Sequence, residues 1–111
     1  MAMVNLLWLA LVLGLVGCQS QSLYHWGGYE DAMYDYYKHP DRQDHFIRVL
    51  QQTIVEGERE RNVPPSLYAE LGFALLVRGD REQAIVYFQK EKNSWPESAY
   101  FMEIMIRNAH E

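Results

Sequence analysis

Cysteine is almost missing from this chain: Cys18 is the only one in 111 residues. A disulfide is therefore excluded, and so is a cysteine-built metal site. Asp, Glu, Lys and Arg are all absent before Cys18, so the net charge of −5 belongs wholly to the residues after it. An acidic balance of that kind argues against nucleic acid, whose phosphates require a basic patch, and against polybasic attachment to anionic lipid. No apolar run reaches the roughly 18 residues needed to cross a bilayer; the longest, from Leu6 to Val16, falls short. Apolar–polar alternation of useful length is also lacking, which argues against a β-sheet. The chain has no glycine-rich phosphate loop, since Gly27-Gly28 stands alone, and none of its serines sits in a Gly-x-Ser-x-Gly elbow. His39, Asp41 and His45 come nearest to a metal set, but they straddle a proline turn. Glu30 and Asp31 are adjacent and suit a helix N-terminus better than a shared substrate. The expectation is a protein without catalytic residues and without a metal.

What is present begins with Leu15-Val16-Gly17-Cys18. An uncharged apolar segment, a small residue and then a thiol form the layout of a bacterial lipoprotein signal. Cleavage needs small side chains in extended backbone, which Gly17 offers. Lipidation needs a nucleophilic sulfur, which only Cys18 can supply. The expected organisation is a signal peptide over 1–17, a lipidated polar tether over 18–23 and a folded domain over 24–111. Diacylglycerol and an N-acyl chain on Cys18 would be the only prosthetic chemistry, and three chains exceed the two-signal threshold for stable anchoring. The segment departs from the usual signal in having no Lys or Arg at its start. By resemblance to Gram-negative lipoproteins, Gln19 in place of an aspartate implies the outer membrane, facing the periplasm.

Beyond Tyr24 the pattern is helical, and the fold class expected is all-α: about five helices as antiparallel hairpins. The first runs from about Gly28 to Lys38, stopped by Pro40. A second extends from about Arg42 to Glu58, with Asp41 as N-cap and Phe46, Ile47, Leu50 and Ile54 as its buried stripe. Pro64-Pro65 is expected to open the third, which ends at Gly79. Asp80 and Gln83 have the spacing of a capping box for the fourth, which ends near Asn93. The fifth starts around Pro96 to Ser98 and runs to about Ala109.

Residues 65–98 resemble one tetratricopeptide repeat. Tyr68, Leu71, Gly72, Leu75, Ala84, Phe88 and Pro96 match its pattern within a period of roughly 34 residues. Gly72 and Ala84 would be small because the hairpin helices cross there, and Leu75 and Phe88 would fill the space between them. Glu91 departs from the pattern, which usually has alanine at that position and so a close contact with the next helix. Residues 29–62 would be a divergent preceding unit, and 99–111 the first helix of a following one or a cap.

Tyr24, Trp26, Tyr29, Tyr34, Tyr36 and Tyr37 crowd the start of the domain. They can enlarge a small core, form a protein interface or stack on glycan. The last helix carries Phe101, Met102, Met105 and Ile106 on one face, widened by Tyr100 and Ile104, so it either covers the chain itself or docks another protein. Trp26, Tyr29, Tyr34, Phe101 and Met105 are the candidate partner-binding residues.

Leu23-Tyr24-His25-Trp26-Gly27-Gly28-Tyr29, followed by Tyr34-Asp35-Tyr36-Tyr37-Lys38, is similar to a family of small uncharacterised bacterial lipoproteins. Genes of that family commonly lie beside one for a CsgG-like lipoprotein. The resemblance implies no catalytic residue and suggests an envelope partner, possibly CsgG-like. The leading expectation is an outer-membrane-anchored helical-repeat adaptor or assembly factor. A peptidoglycan-binding lipoprotein stacking glycan on Trp26 and Tyr29 is the alternative, and a small hydrolase built around His45 a weaker one.

Overall fold

The computed structural model describes Met3 and residues 23–111. Gly17, Cys18 and all of the expected signal segment except Met3 lie outside the described residues. Among those described the chain is all-α, with five α-helices and no strand. They are α1 (Tyr29–Lys38), α2 (Gln43–Glu60), α3 (Leu67–Arg78), α4 (Arg81–Ser94) and α5 (Ala99–His110). Each packs on its neighbours in sequence, giving a stack of hairpins with α3 against both α2 and α4.

The core follows the apolar stripes. Ile47, Leu50 and Ile54 of α2 are buried against Leu67, Leu71 and Leu75 of α3, and Phe88 of α4 is fully enclosed. Burial of each such side chain contributes on the order of 1.5–3 kcal/mol before the entropy of ordering it. Gly72 has the reason its small size suggested. A Cβ there would stand 2.7 Å from the Phe88 ring and 3.2 Å from the Ala84 carbonyl. No side chain fits, so α3 and α4 cross where only hydrogen separates them.

Helix ends depart from expectation in instructive ways. Asp41 does not cap α2; it lies in a 3₁₀ turn, Pro40–Arg42, that leads into the helix. Asp80 makes no capping-box bond either, because its carboxylate accepts from Arg78 Nε at 2.7 Å. Helix α2 runs to Glu60, past the expected end at Glu58, and closes when Arg61 turns left-handed. Gly79 closes α3 as expected, at φ 97°, with the Asp80 N–H donating to the Leu75 carbonyl at 2.8 Å.

The start of α3 shows the largest difference. Pro64-Pro65 precede the helix instead of opening it, and Ser66 sits left-handed at φ 74° with no side-chain cap. The cap comes from Glu91 on α4. Its Oε1 accepts the Ser66 N–H at 2.7 Å, and the Tyr68 and Ala69 amides also face the carboxylate. A glutamate therefore stands where the repeat usually has alanine, because it satisfies donors that the proline turn leaves open.

Candidate functional site

Helices α1, α3 and α5 lie along one side of the stack and enclose a groove of about 440 Å³. Its floor is α3. Ser66, Ala69, Glu70, Phe73, Ala74 and Val77 recur at three- and four-residue spacing and so share one helical face. Tyr36 of α1 forms one wall, held by stacking on Phe46 with ring centroids 5.0 Å apart. Phe101, Met102 and Met105 of α5 form the other. Ala69 and Ala74 leave the floor low between these walls.

The groove is apolar and, among the described residues, uncovered. Phe73 is 55% exposed, Val77 60% and Phe101 59%. Water in contact with three large apolar side chains on facing elements is an unfavourable arrangement that a complementary surface would relieve. Gln43 donates from Nε2 to the Ala74 carbonyl at 3.4 Å, so its amide is engaged at the rim. Among the described residues Glu70 is the one charged residue in the lining. It is half-buried, and none of the ion pairs among the described residues includes it. The Tyr29 hydroxyl donates to Met33 Sδ at 3.1 Å, and the Glu70 carboxylate is near enough to act on it. Burial first, and then Glu70, raises the Tyr29 phenol well above its ordinary pKa, so it stays a neutral donor.

Each predicted partner-binding residue has a definite place. Phe101 and Met105 line the groove. Tyr29, expected as a partner-binding residue, belongs to the core: it is 7% exposed and packs between Trp26 and Phe46. Its ring offers no free face for a sugar. Trp26 is half-buried against the same cluster. Tyr34 is 60% exposed, with the Lys38 ammonium 5.0 Å above its ring, and is not among the groove residues. Phe73, Val77 and Glu70 are among the groove residues that sequence reasoning missed. On periodicity alone Phe73 and Val77 extend the apolar face of α3, and only the spacing of α1 and α5 leaves them uncovered. His39, Asp41 and His45 do not converge; among the described residues no group of three His, Cys, Asp or Glu gathers.

A separate feature fixes the entry to the domain. Residues 23–28 run as a strap across the ends of α2 and α4. The His25 N–H donates to the Asn62 carbonyl at 3.0 Å, and the His25 imidazole meets Glu56 at 2.6 Å. This bond, ahead of a weaker one from Gln52, lowers the Glu56 pKa below the usual carboxylate range. Tyr24 meets Trp95 edge-on at 6.0 Å. His25, Glu56, Asn62, Tyr24 and Trp95 are all absent from the groove lining, so strap and groove are distinct surfaces.

No curated protein and no solved structure matches the chain. A family model described as "Domain of unknown function (DUF4810)" matches residues 23–105. That span begins at the strap, includes all of α3 and ends at Met105 on the groove wall. The chain belongs to the DUF4810 family.

Proposed function

We propose that this protein is a non-catalytic adaptor, held to the outer membrane by lipid on Cys18, that receives a segment of another envelope protein in the α1–α3–α5 groove. A CsgG-like lipoprotein is the partner class suggested by the sequence resemblance. The observation that carries the reading is the uncovered apolar groove, with Phe73, Val77 and Phe101 exposed on facing elements. The strap supports it, because the chain enters the domain on residues that the groove does not use.

Crosslinking in intact cells tests the reading. Full-length protein should capture an envelope partner, and Val77→Asp should abolish capture while leaving the fold unchanged. Undiminished capture by that variant would reject the groove. The anchor has its own test: Cys18→Ser should move the protein from the outer membrane to the soluble periplasmic fraction, and continued sedimentation with outer-membrane vesicles would refute it.

A further inference from the structure

The groove's lining also constrains what can occupy it. From Ser66 to Val77 the floor follows α3 for about 16 Å at about 1.5 Å per residue, the length of roughly three helical turns. An extended segment laid there would bring unpaired backbone N–H and C=O groups against side chains that are almost all apolar. Gln43 is already engaged, so those groups would find few partners. A helix satisfies its own backbone and presents only side chains, so it suits this surface.

Glu70 adds the chemistry. It lies on the floor, half-buried, with no cation beside it among the described residues. The nearby Tyr29 hydroxyl donates to Met33 Sδ, and a carboxylate has roughly four acceptor positions, so Glu70 keeps positions open for a donor. Any cover over the groove removes water from this charge. A wholly apolar or acidic cover would leave it uncompensated, whereas a basic side chain would pair with it.

Resting on the adaptor reading, we propose that the occupant is an amphipathic helix of about three turns whose apolar stripe carries one Lys or Arg placed to pair with Glu70. Phe73, Val77 and Phe101 then receive the stripe, and Glu70 rejects acidic segments.

The test places a photo-crosslinking amino acid at Val77, and separately at Phe101, in the full-length chain in cells, and sequences the captured peptide. The expected capture is an amphipathic segment with a Lys or Arg one helical turn from the crosslinked residue. Glu70→Gln, which keeps the shape of the side chain, should cut the yield about tenfold at unchanged melting temperature, and Glu70→Lys further. Reversing the partner's basic residue to Glu should restore capture by Glu70→Lys. A captured segment without a basic residue, or a yield indifferent to Glu70→Gln, overturns the charge pairing but leaves the adaptor reading standing. Capture of lipid alone, or of a second copy of this chain, overturns both. So does the absence of any protein adduct at either position.

Discussion

Gly72 and Glu91 show how much single positions decide in this stack. Replacing Gly72 with alanine adds a methyl where the Phe88 ring and the Ala84 carbonyl already stand. Overpacking of about 1–3 kcal/mol should outweigh a helix-propensity gain of at most about 1 kcal/mol. A lower denaturation midpoint for Gly72→Ala is therefore expected, and an unchanged one would show that the crossing can widen. Glu91 is 3% exposed, and burial raises its carboxyl pKa above the ordinary range despite the amides that hold it down. The folded state thus keeps the proton more tightly than the unfolded chain does. Glu91's contribution is full below the ordinary carboxylate pKa and declines as pH rises through the raised folded value. Wild type should lose stability relative to Glu91→Gln as pH rises from the ordinary carboxylate value through the raised folded one, read as the difference in melting temperature. A difference independent of pH would mean that the carboxyl stays solvated. The repeat pattern identified Gly72, because smallness at a helix crossing is a local requirement. It could not identify the role of Glu91, whose partners, the amides beside Ser66, come from the other helix of the hairpin.

Among the elements, α1 and the strap illustrate the same division. Periodicity placed α1 correctly to within a residue and set Tyr34 off from the face of Tyr29, but it left open whether that face is core or interface. The buried face proves to be Tyr29 and Ala32 with Tyr36 beside them, while Met33, Tyr34 and Tyr37 point to solvent. That choice depends on Phe46 of α2, which stacks on Tyr36 and packs against Tyr29. The strap was readable only as an aromatic, glycine-containing lead-in. Its hold on the domain comes from His25 reaching Glu56, 31 residues on, and Asn62 beyond it. Because His25 lowers the Glu56 pKa, the strap's stabilisation is present above the ordinary carboxylate pKa and lost as pH falls through the lowered one. In His25→Ala the Glu56 carboxyl should titrate back toward its ordinary range, followed by carboxyl NMR. An unmoved midpoint would show that Gln52 alone sets it.

At the scale of the whole molecule, hairpin order and helix number were legible because three of the five helices carry a readable stop: Pro40 after α1, Gly79 after α3 and Pro96 after α4. The groove was not, because it belongs to no single element; it is the interval between α1 and α5 over α3. Its exposed residues can be changed without disturbing the core. Phe73→Ser and Val77→Asp should each alter stability by only about 0.5 kcal/mol. Thermal melts falling by more than a few degrees would show that these side chains support the stack, and that any loss of partner capture is indirect.

The strap also decides how the domain would bear a mechanical load. A pull on residue 23 is borne first by the Tyr24–Trp95 ring contact and by the His25–Asn62 and His25–Glu56 bonds. Tension therefore passes into the C-terminal ends of α2 and α4 and bypasses the first turn of α1. A tug from that side would strain the α2–α3 loop before it could peel α1 from Phe46, and the Tyr36 wall would keep its shape under traction.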